Sequence, residues 1–322
     1  MKTKLFILSF LLVVTAYGQE IPDLPPTIEH YTVKESTIDS LTVRKHLYTL
    51  SDDAMEGRKI GTPGIEKAAK YIASEFERIG LEKFKDLSSF RQSFKEGELD
   101  LFNVIGVLEG RSKNDEFVVI SAHYDHLGVK NEMVGDKIFN GADDDASGVA
   151  AVLALAEYFK AKGDNERTIV FVAFTGEEAG MLGSTYFGTQ IDADKYITGI
   201  NIEMIGKESR FGPKTAWLTG FDRSDFGKII QKNLVGTAYK LYPDPYIEFD
   251  LFYRSDNASM AKLGIPAHTF STGPIDRDKH YHKVSDEAET LNVTTITETV
   301  KAIAKGTESI INGIDTPQRI KE

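Results

Sequence analysis

The sequence contains no cysteine. This excludes disulfides, lipid carried on a thioether and thiolate metal sites, so any metal must be held by His, Asp or Glu. A chain of 322 residues can build a sizeable core without cross-links. Positive charge is also short. There are 38 Lys and Arg against 49 Asp and Glu, a formal net charge of -11. A nucleic-acid partner would need a basic face, and none is expected here. Long apolar runs are confined to the N-terminus; no other stretch is long enough to cross a bilayer. There is no internal repeat and no low-complexity linker.

The N-terminus reads "MKTKLFILSFLLVVTAYGQE". Lys2 and Lys4 precede a short apolar run, residues 5–14, and small residues follow at Ala16 and Gly18. This is the pattern of a secretory signal peptide over residues 1–18, cleaved near Gly18. It predicts a secreted or periplasmic protein with no stable membrane insertion. Residues 19–38 are polar and contain proline, which predicts an extended arm. Residues 39–322 are expected to form one catalytic domain.

Ala68, Ala69, Ile72, Phe76 and Ile79 recur at helical spacing, and Gly80 closes the run. "ASGVAAVLALAEYFK" predicts a second helix, and residues 289–314 suit a terminal amphipathic one. Short apolar runs at 117–122, 168–174 and in "ITGINIEMIG" predict buried strands, with a possible fourth in "PAHTFSTG". Strands alternating with helices predict an α/β fold: a mostly parallel central sheet with helices on both faces. Each of the first three strands stops at charged residues: His123 and Asp125, Glu177 and Glu178, and Glu203. Ligands bind beyond the carboxyl ends of strands in such sheets, so these ends mark a site.

The candidate metal ligands are His123, a carboxylate of "DDDASG" (Asp143, Asp144, Asp145), one of Glu177 and Glu178, Glu203, and a late histidine, His280 or His282. Three adjacent carboxylates repel one another unless a cation compensates. Imidazole with carboxylate suits Zn²⁺, with Mn²⁺ or Co²⁺ as alternatives. An Asp-Ser cluster before a helix is often only a cap. Four other motifs beside this one argue against that reading.

"SAHYDHLG", "NGADDDASGVAAVLALA", "FVAFTGEEAGMLGS", "NIEMIG" and "YHKVSD" together resemble the di-zinc aminopeptidases, metallopeptidase family 28, from about Asp52 to Leu291. The resemblance implies two Zn²⁺ per chain. It implies His123 on one zinc, Asp144 bridging both, and Glu178 with His282 on the second. Glu203 stands where relatives usually have Asp. Glu177 matches the general base, Asp125 the carboxylate that orients His123, and Tyr281 a tyrosine that steadies the oxyanion. Asp145 follows an unusual cis peptide in relatives and supports the turn or a substrate amine; Asp143 is expected behind the ligands or at the surface. The implied reaction is hydrolysis of the N-terminal peptide bond of a peptide with a free N-terminus, through a metal-bridged water and a glutamate base.

His126 matches no motif and is expected at the surface or the pocket rim; His30, His46 and His268 are expected in structural or surface positions. Ser255 and Asp256 are candidates for the substrate pocket or for a helix cap. The aromatic run "LYPDPYIEFDLFY" is read as pocket wall or core. A carboxypeptidase or amide deacylase on the same frame remains an alternative, kept open by Arg254 and Arg277. A glutaminyl cyclase ranks below it, and a non-catalytic binding domain is the remaining reading.

Overall fold

The computed structural model describes residues 38–320. The expected signal peptide and all of the expected arm except Ile38 lie outside them. Ile38 itself is buried against the core. The described residues fall within one compact unit, and no helix among them is long and apolar enough to cross a membrane.

The strands are β1 (Glu82–Lys83), β2 (Arg91–Glu96), β3 (Leu99–Leu108), β4 (Lys113–His123), β5 (Gly128–Val129), β6 (Ile138–Phe139), β7 (Arg167–Phe174), β8 (Tyr196–Ile202), β9 (Thr215–Leu218), β10 (Lys240–Pro243) and β11 (Ala267–Ser271). The main helices are α1 (Ser40–Leu50), α2 (Pro63–Ile79), α3 (Ser147–Lys162), α4 (Leu182–Thr189), α5 (Phe226–Asn233), α6 (Asn257–Ala261) and α7 (Val293–Ile311). β5 and β6 form a separate ribbon. The other nine strands form one sheet in the order β1-β3-β7-β4-β8-β11-β9-β10, with β2 on β3.

Four central strands, β7, β4, β8 and β11, run parallel. The sheet turns antiparallel outside them, at β3 against β7 and at β9 against β11. The sheet is therefore mixed: a parallel middle, antiparallel joins on either side of it, and β10 parallel to β9 at the far edge. β7 is buried along its whole length. Ile169, Phe171 and Ala173 enter the cluster under α1, α2, α3 and α7, while Val170, Val172 and Phe174 enter the cluster with Phe187 of α4 and Met260 of α6. The period of two thus splits the core between the two faces.

The register sets the site. His123 pairs with Phe174, and Ser121 with Asn201. Two residues beyond Asn201, Glu203 is level with His123, and the chain past Phe174 reaches Glu177 at the same edge. α3 begins against this edge. A Cβ on Gly148 would lie 2.4 Å from Asp145 Oδ2 and from Ile202 O, so only glycine lets the helix approach β8 so closely.

Of the histidines expected in structural or surface positions, His46 and His268 are buried and structural. His46 Nδ1 lies 2.7 Å from Tyr71 Oη, and His268 bonds Thr219 O and Ser224 Oγ, each at 2.8 Å. Burial pushes both rings down from 6.5 to about 4. The unfolded chain then takes up these protons more readily than the folded one. Stability is full above about pH 6.5 and falls towards pH 4, by up to about 3 kcal/mol for each ring. In denaturant titrations between pH 7 and 5, a His268→Asn variant should lose stability less steeply than the unmodified chain. Equal slopes would contradict this.

Candidate metal centre

Three loops and one distant segment converge at the carboxyl edge of the parallel strands. His123 ends β4, and Asp144 sits in the irregular turn before α3. Glu177 and Glu178 follow β7, and His282 lies before α7. The Asp144 carboxylate is at the centre. His123 Nε2 is 3.1 Å from its Oδ1; His282 Nε2 is 3.1 Å from its Oδ2 and 3.2 Å from Glu178 Oε2. The two oxygens of Asp144 thus face different histidines. The Asp144–Asp145 peptide is cis.

The three aspartates divide their work. Asp145 is fully buried and accepts backbone N–H bonds from His123 (3.3 Å), Gly148 (3.1 Å) and Met204 (3.2 Å). It ties the ends of β4 and β8 to the start of α3, which supports the turn and leaves its oxygens occupied. Asp143 is not at the surface. It is buried, accepts from Gly206 N at 2.7 Å and faces Lys207 Nζ at 3.3 Å. Asp286 accepts the backbone N–H groups of Asp143 and Asp144 at 3.1 Å.

Asp125 is arranged differently from the expectation. His123 Nδ1 donates to the backbone carbonyl of Asp125 at 3.2 Å, and the carboxylate is 3.8 Å from that nitrogen. The carboxylate accepts instead from the backbone N–H of Glu177 (3.1 Å) and Glu178 (3.3 Å). One residue therefore fixes the histidine through its main chain and both glutamates through its side chain.

Arg58 was not anticipated. It is fully buried and donates to Leu50 O, Tyr124 O, Asn140 O and Gly141 O at 2.6–2.9 Å. It pins the His123 loop to the Asp144 turn, and no sequence pattern marks a lone arginine for that task. Arg58→Met should orphan these carbonyls and cost at least about 3 kcal/mol, measured by urea unfolding. A loss under about 1 kcal/mol would contradict this.

Burial and charge are strongly opposed here. Burial works against the ionised form of Asp144, yet His126, His123 and His282 hold it well below the usual carboxylate range. Burial, aided by Glu203, Asp256 and Asp144, pushes Glu177 up to about 10. Burial likewise takes Glu203 to about 7, with Asp144 and Glu178 adding to it and Ser255 opposing. Several polar atoms in this buried cluster have no hydrogen-bond partner: His123 Nε2, both ring nitrogens of His126, Glu178 Oε1 and Glu203 Oε2. Imidazoles and carboxylates at 2.8–3.2 Å that do not satisfy one another are a donor set for divalent cations. The residues present therefore fit zinc.

The other sequence candidates also find places. His280 turns away to Ser285, leaving His282 at the site. Tyr281 stacks on His282 with ring centroids 3.9 Å apart. Asp256 begins α6 but makes no capping bond. Its carboxylate is buried with both oxygens unpartnered, and burial raises it to about 7. The aromatic run is split, with Tyr246 and Phe252 buried and Ile247, Phe249 and Tyr253 exposed. A small cavity of about 40 Å³ adjoins Glu203, lined among others by Trp217, Thr219, Leu251, Arg254 and Ser255. A wider hollow of about 610 Å³ between the start of α2 and β3 reaches this edge only at Thr175.

The fold is shared with solved enzymes of more than one kind. A zinc aminopeptidase from Bacillus subtilis superposes with a TM-score of 0.71 at 14% identity, over 90% of this chain and 99% of that one. A Porphyromonas gingivalis glutaminyl cyclase does so with 0.67 at 16%, over 85% and 99%. The family model for peptidase family M28 matches residues 103–307, and the chain belongs to that family. Leucine aminopeptidase 1 of Trichophyton rubrum is 30% identical over 227 residues, 67% of this chain and 58% of its own. The chain spans less than two thirds of the length of the first curated relatives it matches.

Proposed function

We infer that the chain is a metal-dependent aminopeptidase that removes the N-terminal residue of a peptide. The observation that carries this reading is Asp144, whose two oxygens face His123 on one side and His282 on the other. His123, Asp144 and Glu203 would hold one cation; Asp144, Glu178 and His282 would hold the second. When bound, two divalent cations supply Lewis acidity toward the scissile carbonyl and the positive charge that ionises water and Glu177.

The chain's own residues do the rest. Glu177 is oriented through its backbone by Asp125. Its carboxylate takes a proton from the attacking water and delivers it to the nitrogen of the leaving amine, so one group serves as base and then acid. Burial and the facing carboxylates Asp144, Glu203, Glu178 and Glu177 raise the Tyr281 hydroxyl, which stays protonated and able to donate to the developing oxyanion. Asp256 is a buried acid with both oxygens unpartnered, which suits the free ammonium of a substrate N-terminus. The family membership and the aminopeptidase relative support the same reading, as does the retention of both glutamates.

A second reading is favoured by Arg254, which lines the cavity beside Glu203. An arginine there suits a carboxylate, which a carboxypeptidase or deacylase substrate would carry. Zinc-loaded protein with aminoacyl-nitroanilides and their N-acetylated counterparts separates the two. Cleavage of the free amines alone is expected; equal cleavage of the acetylated forms would overturn the aminopeptidase reading.

A further inference from the structure

His126 lies three residues after His123, and the five ligands named above leave it without a task. It is 1% exposed rather than at the surface or rim; Nε2 has no partner, and Nδ1 meets only the Glu178 carboxylate, without good hydrogen-bond geometry. An unsatisfied buried polar group costs about 1–3 kcal/mol, so an imidazole held this way requires an explanation. Its place is tightly specified. The His126 N–H donates to Arg58 O at 3.2 Å, and a Cβ on Gly141 would lie 2.5 Å from His126 Cγ and Cδ2.

The free nitrogen is aimed at the ligands. His126 Nδ1 is 2.8 Å from Glu178 Oε1 and 3.8 Å from Asp144 Oδ2. His282 Nε2 approaches the same pair of carboxylates, 3.1 Å from Asp144 Oδ2 and 3.2 Å from Glu178 Oε2. The two rings meet edge to face, their centroids 5.7 Å apart, so they reach the carboxylates from different directions. Four donors bound tetrahedrally at zinc distances are separated by about 3.3 Å. The separations here, taken to one or other oxygen of Glu178, run from 2.8 to 3.8 Å around that value. His126, Asp144 and Glu178 can each offer an atom within 4.8 Å of the others.

We propose that His126 is a direct ligand, with Asp144, Glu178 and His282, of one of the two cations. This rests on the two-cation reading above. The two positions then differ in kind. One is closed by four protein atoms, the arrangement of sites that hold zinc permanently. The other, with His123, Asp144 and Glu203, keeps a place for water and the substrate carbonyl. The closed position fills first and empties last.

The test uses the full chain, stripped with a chelator and reloaded with one equivalent of zinc. Zinc-edge X-ray absorption should show two imidazoles per zinc, from His126 and His282. One imidazole per zinc would overturn the proposal while leaving the two-cation reading intact, whereas no zinc binding at all would overturn both. In competition with a chromophoric chelator, His126→Gln should weaken the tighter zinc by well over a hundredfold. Losing a residue that only orients a ligand costs roughly 10–100-fold, so a loss within that range or smaller would overturn the proposal. If the variant does not fold, the imidazole count in the unmodified chain decides alone.

Discussion

Glu177→Gln should lower kcat of the zinc-loaded protein by about a thousandfold while both zincs stay bound. General acid–base transfer contributes about 10²–10⁴-fold, and in the proposed mechanism one carboxylate performs both transfers. Glutamine keeps the volume and polarity of the side chain, and its backbone N–H can still donate to Asp125, as Glu177 does now. The neighbouring Glu178, proposed as a ligand, is held separately, by its own N–H to the other oxygen of Asp125. Metal content and melting temperature should therefore change little. Loss of zinc together with activity would make Glu177 a ligand, and undiminished turnover would remove it from the reaction.

Asp144→Asn should act on metal binding itself. The carboxylate offers one oxygen to the His123 side and one to the His282 side, and the site's three imidazoles hold it ionised against burial. An amide has a single carbonyl oxygen, no charge, and an NH₂ that would face a nitrogen ligand. Breaking a buried charged pair costs about 3–5 kcal/mol, so zinc affinity should fall by about a thousandfold. After dialysis, metal analysis should give fewer than two zincs per chain, and added zinc should no longer raise the melting temperature as mass action requires. Two zincs retained in this variant would contradict a bridging role.

Much of the fold is legible because buried strands and capped helices leave local marks. β7 is apolar on both faces, and Gly80 closes α2 with φ of +79°. The direction of the outer strands leaves no such mark. β3 is buried over most of its length, as a central parallel strand would be, so its antiparallel pairing with β7, and that of β9 with β11, depends on how the connections run. α1 buries Val43, His46, Leu47 and Leu50 at helical spacing behind an Asp39 cap, so this helix is legible although one member of its stripe is a histidine.

In the site, residue types at strand ends indicate the cluster, and the structure places His123, Asp144, Glu178 and His282 together. Partners were harder to assign than positions. The Asp125 side chain points to the backbone of the two glutamates because β7 lies beside β4, a tertiary fact. Arg58 depends on carbonyls from three separate segments. His126 had a sequence signal in its spacing from His123, but a second histidine on a loop is more often a surface residue, and only the burial of this one separates the two cases.

The most direct measurement is mass spectrometry of a short peptide and its N-acetylated twin after incubation with zinc-loaded protein, beside Glu177→Gln. The account predicts a ladder of products shortened one residue at a time from the amino end, with the acetylated peptide intact and the variant nearly silent. Shortening from the carboxyl end, or equal loss of the acetylated peptide, would contradict it.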